Sequence, residues 1–86
     1  MSITKDSVKL LLSFLEKNYP KTYEDVEVIK KAAPPQLNPD ELFNMLFFCR
    51  EEGLVDASPI EETATGIVDF KFIRINSKGI RFLKGF

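Results

Sequence analysis

Histidine is missing altogether, so no imidazole can serve as general base, proton shuttle or metal ligand. Most enzyme readings go with it, because the remaining lysines and carboxylates show no spacing that pairs a nucleophile with a base. The single cysteine, Cys49, excludes an intrachain disulfide. Four glycines form no phosphate-cradling run, and the acids match no calcium loop. Cofactors are not expected. No apolar stretch approaches the roughly 20 residues that cross a bilayer. The first residues lack the basic, then apolar, then small-residue order of a secretory signal. These absences lead to the expectation of a cytoplasmic protein that is not an enzyme, needs no metal and does not engage a membrane.

What is present is ordinary globular material: 86 residues, 44% hydrophobic and 29% charged, with no internal repeat or low-complexity tract. The expectation is one domain, 1–86. A core of that size is only marginally stabilising, so a second chain covering apolar surface is a live prospect.

Residues 38–55 organise the rest. Asn38 suits an N-cap, Pro39 suits the first helical position, and Leu42, Met45, Leu46 and Cys49 then fall on one stripe. That stripe makes Cys49 a buried structural thiol rather than a reactive one. Gly53 follows the last turn, where a residue at ease at positive φ ends a helix cheaply, and Leu54 and Val55 begin a strand. Upstream, Thr4 can cap a helix to about Asn18, with Val8, Leu11, Leu12 and Leu15 inward. Leu10 and Phe14 make a second apolar pair on that helix, to be covered by a later element or by a partner. Thr22 with Asp25 predicts a helix opening at Thr22 and running through about Ala33, stopped by Pro34 and Pro35.

Downstream, strands over 54–60 and 67–75 flank a loop at 61–66. The second strand changes phase: Val68, Phe70 and Phe72 share one face, and Ile73 and Ile75 belong to the other. A bulge near Phe72, a strand end covered on both sides or a misplaced boundary would each explain it. Asn76 or Ser77 then caps a last helix, with Ile80, Phe82 and Leu83 turned to the core and Gly85 closing it.

Apolar residues at helical spacing, then Glu51-Glu52-Gly53-Leu54-Val55, a hairpin, and Arg74-Ile75-Asn76-Ser77-Lys78-Gly79-Ile80-Arg81-Phe82-Leu83 together resemble a winged-helix domain of small bacterial transcription regulators. The resemblance covers nearly the whole chain. It implies an α+β winged helix-turn-helix: a three-helix bundle with a β-hairpin wing and a short C-terminal helix. It also implies that the 38–52 helix reads DNA and that the protein regulates transcription.

Charge pulls the other way. From Gln36 to Asp69 eight acids stand against Arg50 alone, whereas residues 70–86 hold Lys71, Arg74, Lys78, Arg81 and Lys84 with no acid. Phosphate binding needs positive potential first, so any DNA contact is expected from those five bases, with Asn44 as the one base-reading candidate on the opening helix. Phe47 and Phe48 lie off the inner stripe and are candidate anchors for a protein partner, covered otherwise by the hairpin and first helix. Two functions are therefore expected: a DNA-binding regulator, or a protein-interaction or dimerisation module that does not bind DNA. A homodimer is expected to form through Leu10 and Phe14.

Overall fold

Thr4 starts the first helix by a reciprocal cap. Its hydroxyl accepts from the Ser7 amide at 3.1 Å, while the Ser7 hydroxyl accepts from the Thr4 amide at 3.1 Å. The computed structural model describes residues 4–85, and in it the elements run α1 (Lys5–Lys17), β1 (Tyr23–Asp25), α2 (Val26–Ala32), α3 (Pro39–Glu51), β2 (Val55–Glu62), β3 (Gly66–Ile75) and α4 (Ser77–Lys84). The fold is α+β, with four helices and a three-stranded antiparallel sheet among the described residues.

Helix α1 buries Val8, Leu11, Leu12 and Leu15, the stripe its spacing dictates. Helix α3 buries Leu42, Met45, Leu46 and Cys49, is capped by Asn38 with Pro39 in its first turn, and is closed by Gly53 at φ 76°. These faces meet Ile29 of α2 and Phe70, Ile73 and Ile75 of β3 in one apolar cluster.

Two expectations need correction. Thr22 does not open a helix: residues 23–25 form β1, and Asp25 is the N-cap of α2, its carboxylate accepting from the Val28 amide at 3.0 Å. Two overlapping capping patterns compete there. Pairing decides between them, because Tyr23 is buried opposite Ile73 on β3. The sheet therefore has order β1-β3-β2, one strand more than the expected hairpin.

The second correction is to β3. Val68, Phe70 and Phe72 do not share a face, because β3 carries one residue more than β2 between the pairs Asp56↔Arg74 and Ser58↔Lys71. Of the three explanations open to the sequence, the bulge at Phe72 holds. It turns Phe70 inward beside Ile73 and Ile75 and leaves Phe72 62% exposed at φ 56°. A further shift between Ile60↔Asp69 and Glu61↔Ile67 leaves Val68 outside.

Left-handed backbone costs a non-glycine residue about 1 kcal/mol, and an exposed ring recovers little of it by burial. Phe72→Gly is accordingly expected to leave stability unchanged or raise it by up to about 1 kcal/mol, the gain being trimmed by glycine's larger entropy loss on folding. Urea unfolding checks this; a loss beyond about 1 kcal/mol would show that the ring holds the bulge in place.

Helix α4 is held at its start by Asn76. The Asn76 side chain accepts from the Gly79 amide at 2.9 Å and donates to the Gly53 carbonyl at 2.8 Å and the Asp56 carboxylate at 3.1 Å. One residue thus joins the end of α3, the start of β2 and α4. Ile80, Phe82 and Leu83 then pack half-buried against the core.

Candidate binding surfaces

The outward side of α3 carries Asp40, Asn44, Phe47 and Glu51, spaced so that they form one exposed stripe. Phe47 is 37% exposed and is the outer member of a ring cluster, 6.5 Å from Phe43 and 6.2 Å from Phe70, with Phe43 stacked on Phe70 at 5.3 Å. The cluster fastens α3 to β3. Phe48, 39% exposed, stands on the opposite shoulder with Val8, Leu54 and Phe82 around it. The two candidate anchors therefore do not form a single patch.

Arg50, the one base in this region, is tied down. Its Nε donates to the Ala57 carbonyl at 2.9 Å and its guanidinium lies 3.7 Å from Glu51. Asp40, Glu61 and Glu62 form no ion pair among the described residues, and all three are exposed. The α3 stripe and the tip of the β2–β3 hairpin are thus acidic with apolar side chains between them, Val68 and Ile60 being exposed on the hairpin.

The five C-terminal bases behave differently from a free cationic patch. Lys71 lies 3.3 Å from Asp25, Arg74 lies 3.3 Å from Asp56, and Lys84 lies 3.3 Å from Glu16. Lys78 and Arg81, exposed on α4, have no ion-pair partner among the described residues. Exposed pairs of this kind are worth about 1 kcal/mol or less, so a phosphate would readily displace the acid from its base. The acid would still remain beside the phosphate and cancel most of the attraction.

Asp25 is the best placed of these acids. The Val28 amide, and after it the Lys71 ammonium, hold its carboxyl below the ordinary 3.8 despite some opposing desolvation. A carboxyl depressed in the folded state contributes stability above its unfolded pKa and loses it as pH falls through the folded value. Asp25→Asn keeps a capping side chain but removes the titration, so its stability should fall less steeply than wild type between about pH 5 and pH 2. Parallel urea midpoints across that range would contradict this.

Leu10 and Phe14 are half-buried against the core, with the Phe14 ring 5.5 Å from Tyr23. An open groove beside them is lined by Ala32 and Pro34. The chain itself thus covers part of the pair. Cys49 is buried, and desolvation pushes its thiol up to about 12, with Glu52 adding to the shift. It carries no thiolate at neutral pH.

Among the described residues no cluster of three or more His, Cys, Asp or Glu side chains is arranged to hold a metal ion, and no helix is long and apolar enough to cross a membrane. Comparison with protein-family models, with curated proteins and with solved structures found no match.

Four residues that matter to these surfaces were not singled out as site candidates by the sequence: Glu16, Asp25, Asp56 and Phe72. The acids carry no signal of which base they meet. The phase change in β3 was the one trace of Phe72.

Proposed function

We propose that this chain is a winged-helix module that acts by binding, and that the face formed by α3 and the hairpin tip takes a protein partner of basic surface rather than DNA. The order of helices and strands is compatible with a winged-helix layout. The observation that carries the choice of partner is electrostatic. The helix that would enter a groove presents Asp40 and Glu51 around Phe47, the hairpin presents Glu61 and Glu62, and three of the five C-terminal bases already face acids of the same chain. Affinity for DNA rests largely on phosphate neutralisation, so this face repels the backbone it would have to approach. Acids around exposed apolar side chains suit instead a partner with lysines or arginines beside apolar anchors.

Gel-shift titration on mixed genomic DNA at about 50 and 200 mM salt tests the choice. The wild type is expected to show no salt-sensitive binding, and Asp40→Lys with Glu51→Lys is expected to gain some. Salt-steep wild-type binding that Lys78→Glu with Arg81→Glu abolishes would return DNA to the account, with α4 as the contact.

A further inference from the structure

We infer that the half-open cleft between the start of α1, the end of α3 and α4 is a binding site for a small amphipathic carboxylate, a compound with one carboxyl group and a short aliphatic or aromatic tail. The cavity measures about 330 Å³, within the range of small-ligand sites. Its apolar lining comes from Val8 and Leu54, both buried, and from the rings of Phe48 and Phe82. Phe48 is among the most exposed rings of the molecule, and here it borders a concave space instead of facing open solvent. A tail entering this space removes that ring and Phe82 from water.

The polar side chains of the cavity choose the head group. Lys5 and Lys78 both line it, and neither has an ion-pair partner among the described residues. The Lys78 side chain runs along Gly53, its ammonium 3.6 Å from where a Cβ on that glycine would stand. Glu52 is the one acid lining the cavity, so two cations face a single anion and the site is net positive. Helices α1 and α4 both begin here and α3 ends here, so two positive dipole ends outweigh one negative end. A carboxylate gains from this net positive balance, a neutral head group gains little, and a cationic one is repelled. None of the lining residues belongs to the acidic stripe of α3, and Lys78 is the one residue shared with the α4 bases weighed above for DNA.

The test is an amide-shift titration of the isotope-labelled chain with three probes built on an eight-carbon chain: octanoate, octanol and octyltrimethylammonium. Octanoate is expected to move the amides of Lys5, Val8, Phe48, Leu54, Lys78 and Phe82 along one saturable curve, with octanol weaker and octyltrimethylammonium weakest. Lys5→Glu with Lys78→Glu changes only exposed side chains, so the fold is retained; it should weaken octanoate about tenfold and reverse the preference toward the cation. An octanoate titration without saturable shifts at these residues would overturn the inference. So would equal affinity for octanoate and octyltrimethylammonium, or an unchanged octanoate affinity in the folded double variant.

Discussion

Phe70→Ala is expected to cost about 3–5 kcal/mol of folding stability, the range for deleting a ring from a packed core. Phe70 has no exposed surface and sits on the central strand, where Phe43 stacks on it at 5.3 Å and Phe47 approaches to 6.2 Å. Removing its ring leaves a cavity that neighbouring strands cannot close, and it also strips Phe43 and Phe47 of the partner that seats them. A domain of this size has a total stability on the order of 4–13 kcal/mol, so the loss takes a large share of it. Urea unfolding should show a much lower midpoint or no folded baseline. A loss under about 1.5 kcal/mol would mean that the ring cluster is not the joint between α3 and the sheet. Phe72→Gly, two residues away, is the internal control with the opposite expectation.

Gly79→Ala is expected to destabilise by about 3 kcal/mol, although the same change in an exposed helix stabilises by about 1 kcal/mol. The sign reverses because a Cβ at Gly79 would collide with the Leu54 carbonyl oxygen and come within 2.7 Å of Ile75 Cγ1. The first of these is backbone and cannot swing away. Only by lifting α4 from the β2 and β3 ends can the methyl be accommodated, and that pulls on the Asn76 bonds to Gly53 and Asp56. Thermal unfolding of the variant checks the sign; an unchanged or raised midpoint would show that α4 rides more loosely on the sheet than its contacts imply.

What was legible in the sequence follows the range of the forces involved. Caps act over two to four residues, so Thr4 and Asn38 mark helix starts that the structure keeps, and of the pair Asn76 and Ser77 it is Asn76 that caps α4. The buried stripes of α1 and α3 follow from spacing alone. Strand β1 was not legible, because three residues make a strand only when β3 is there to receive them. Tyr23 reveals nothing of this until Ile73, 50 residues on, lies opposite.

The surfaces were legible in sign and not in arrangement. Composition shows bases gathered after Phe70, but Lys71 meets Asp25 from 46 positions away, and Lys84 meets Glu16 across the packed ends of α1 and α4. Phe47 and Phe48 are neighbours in sequence yet stand on opposite shoulders of α3, one in a ring cluster with β3 and one in a cavity with α1 and α4. A helical turn of 100° per residue makes that separation; which neighbour fills each side is a tertiary fact.

The acidic face of α3 and the hairpin is proposed to receive a basic protein surface. Amide-shift mapping of the labelled chain with two probes in turn tests it most directly: an amphipathic synthetic peptide of lysines and leucines, and a mixed-sequence DNA duplex, both at low salt. The peptide is expected to move the amides of Asp40, Asn44, Phe47, Glu51, Glu61 and Glu62 while the duplex leaves them unmoved. Movement of those same amides by the duplex, with the peptide inert there, would contradict it.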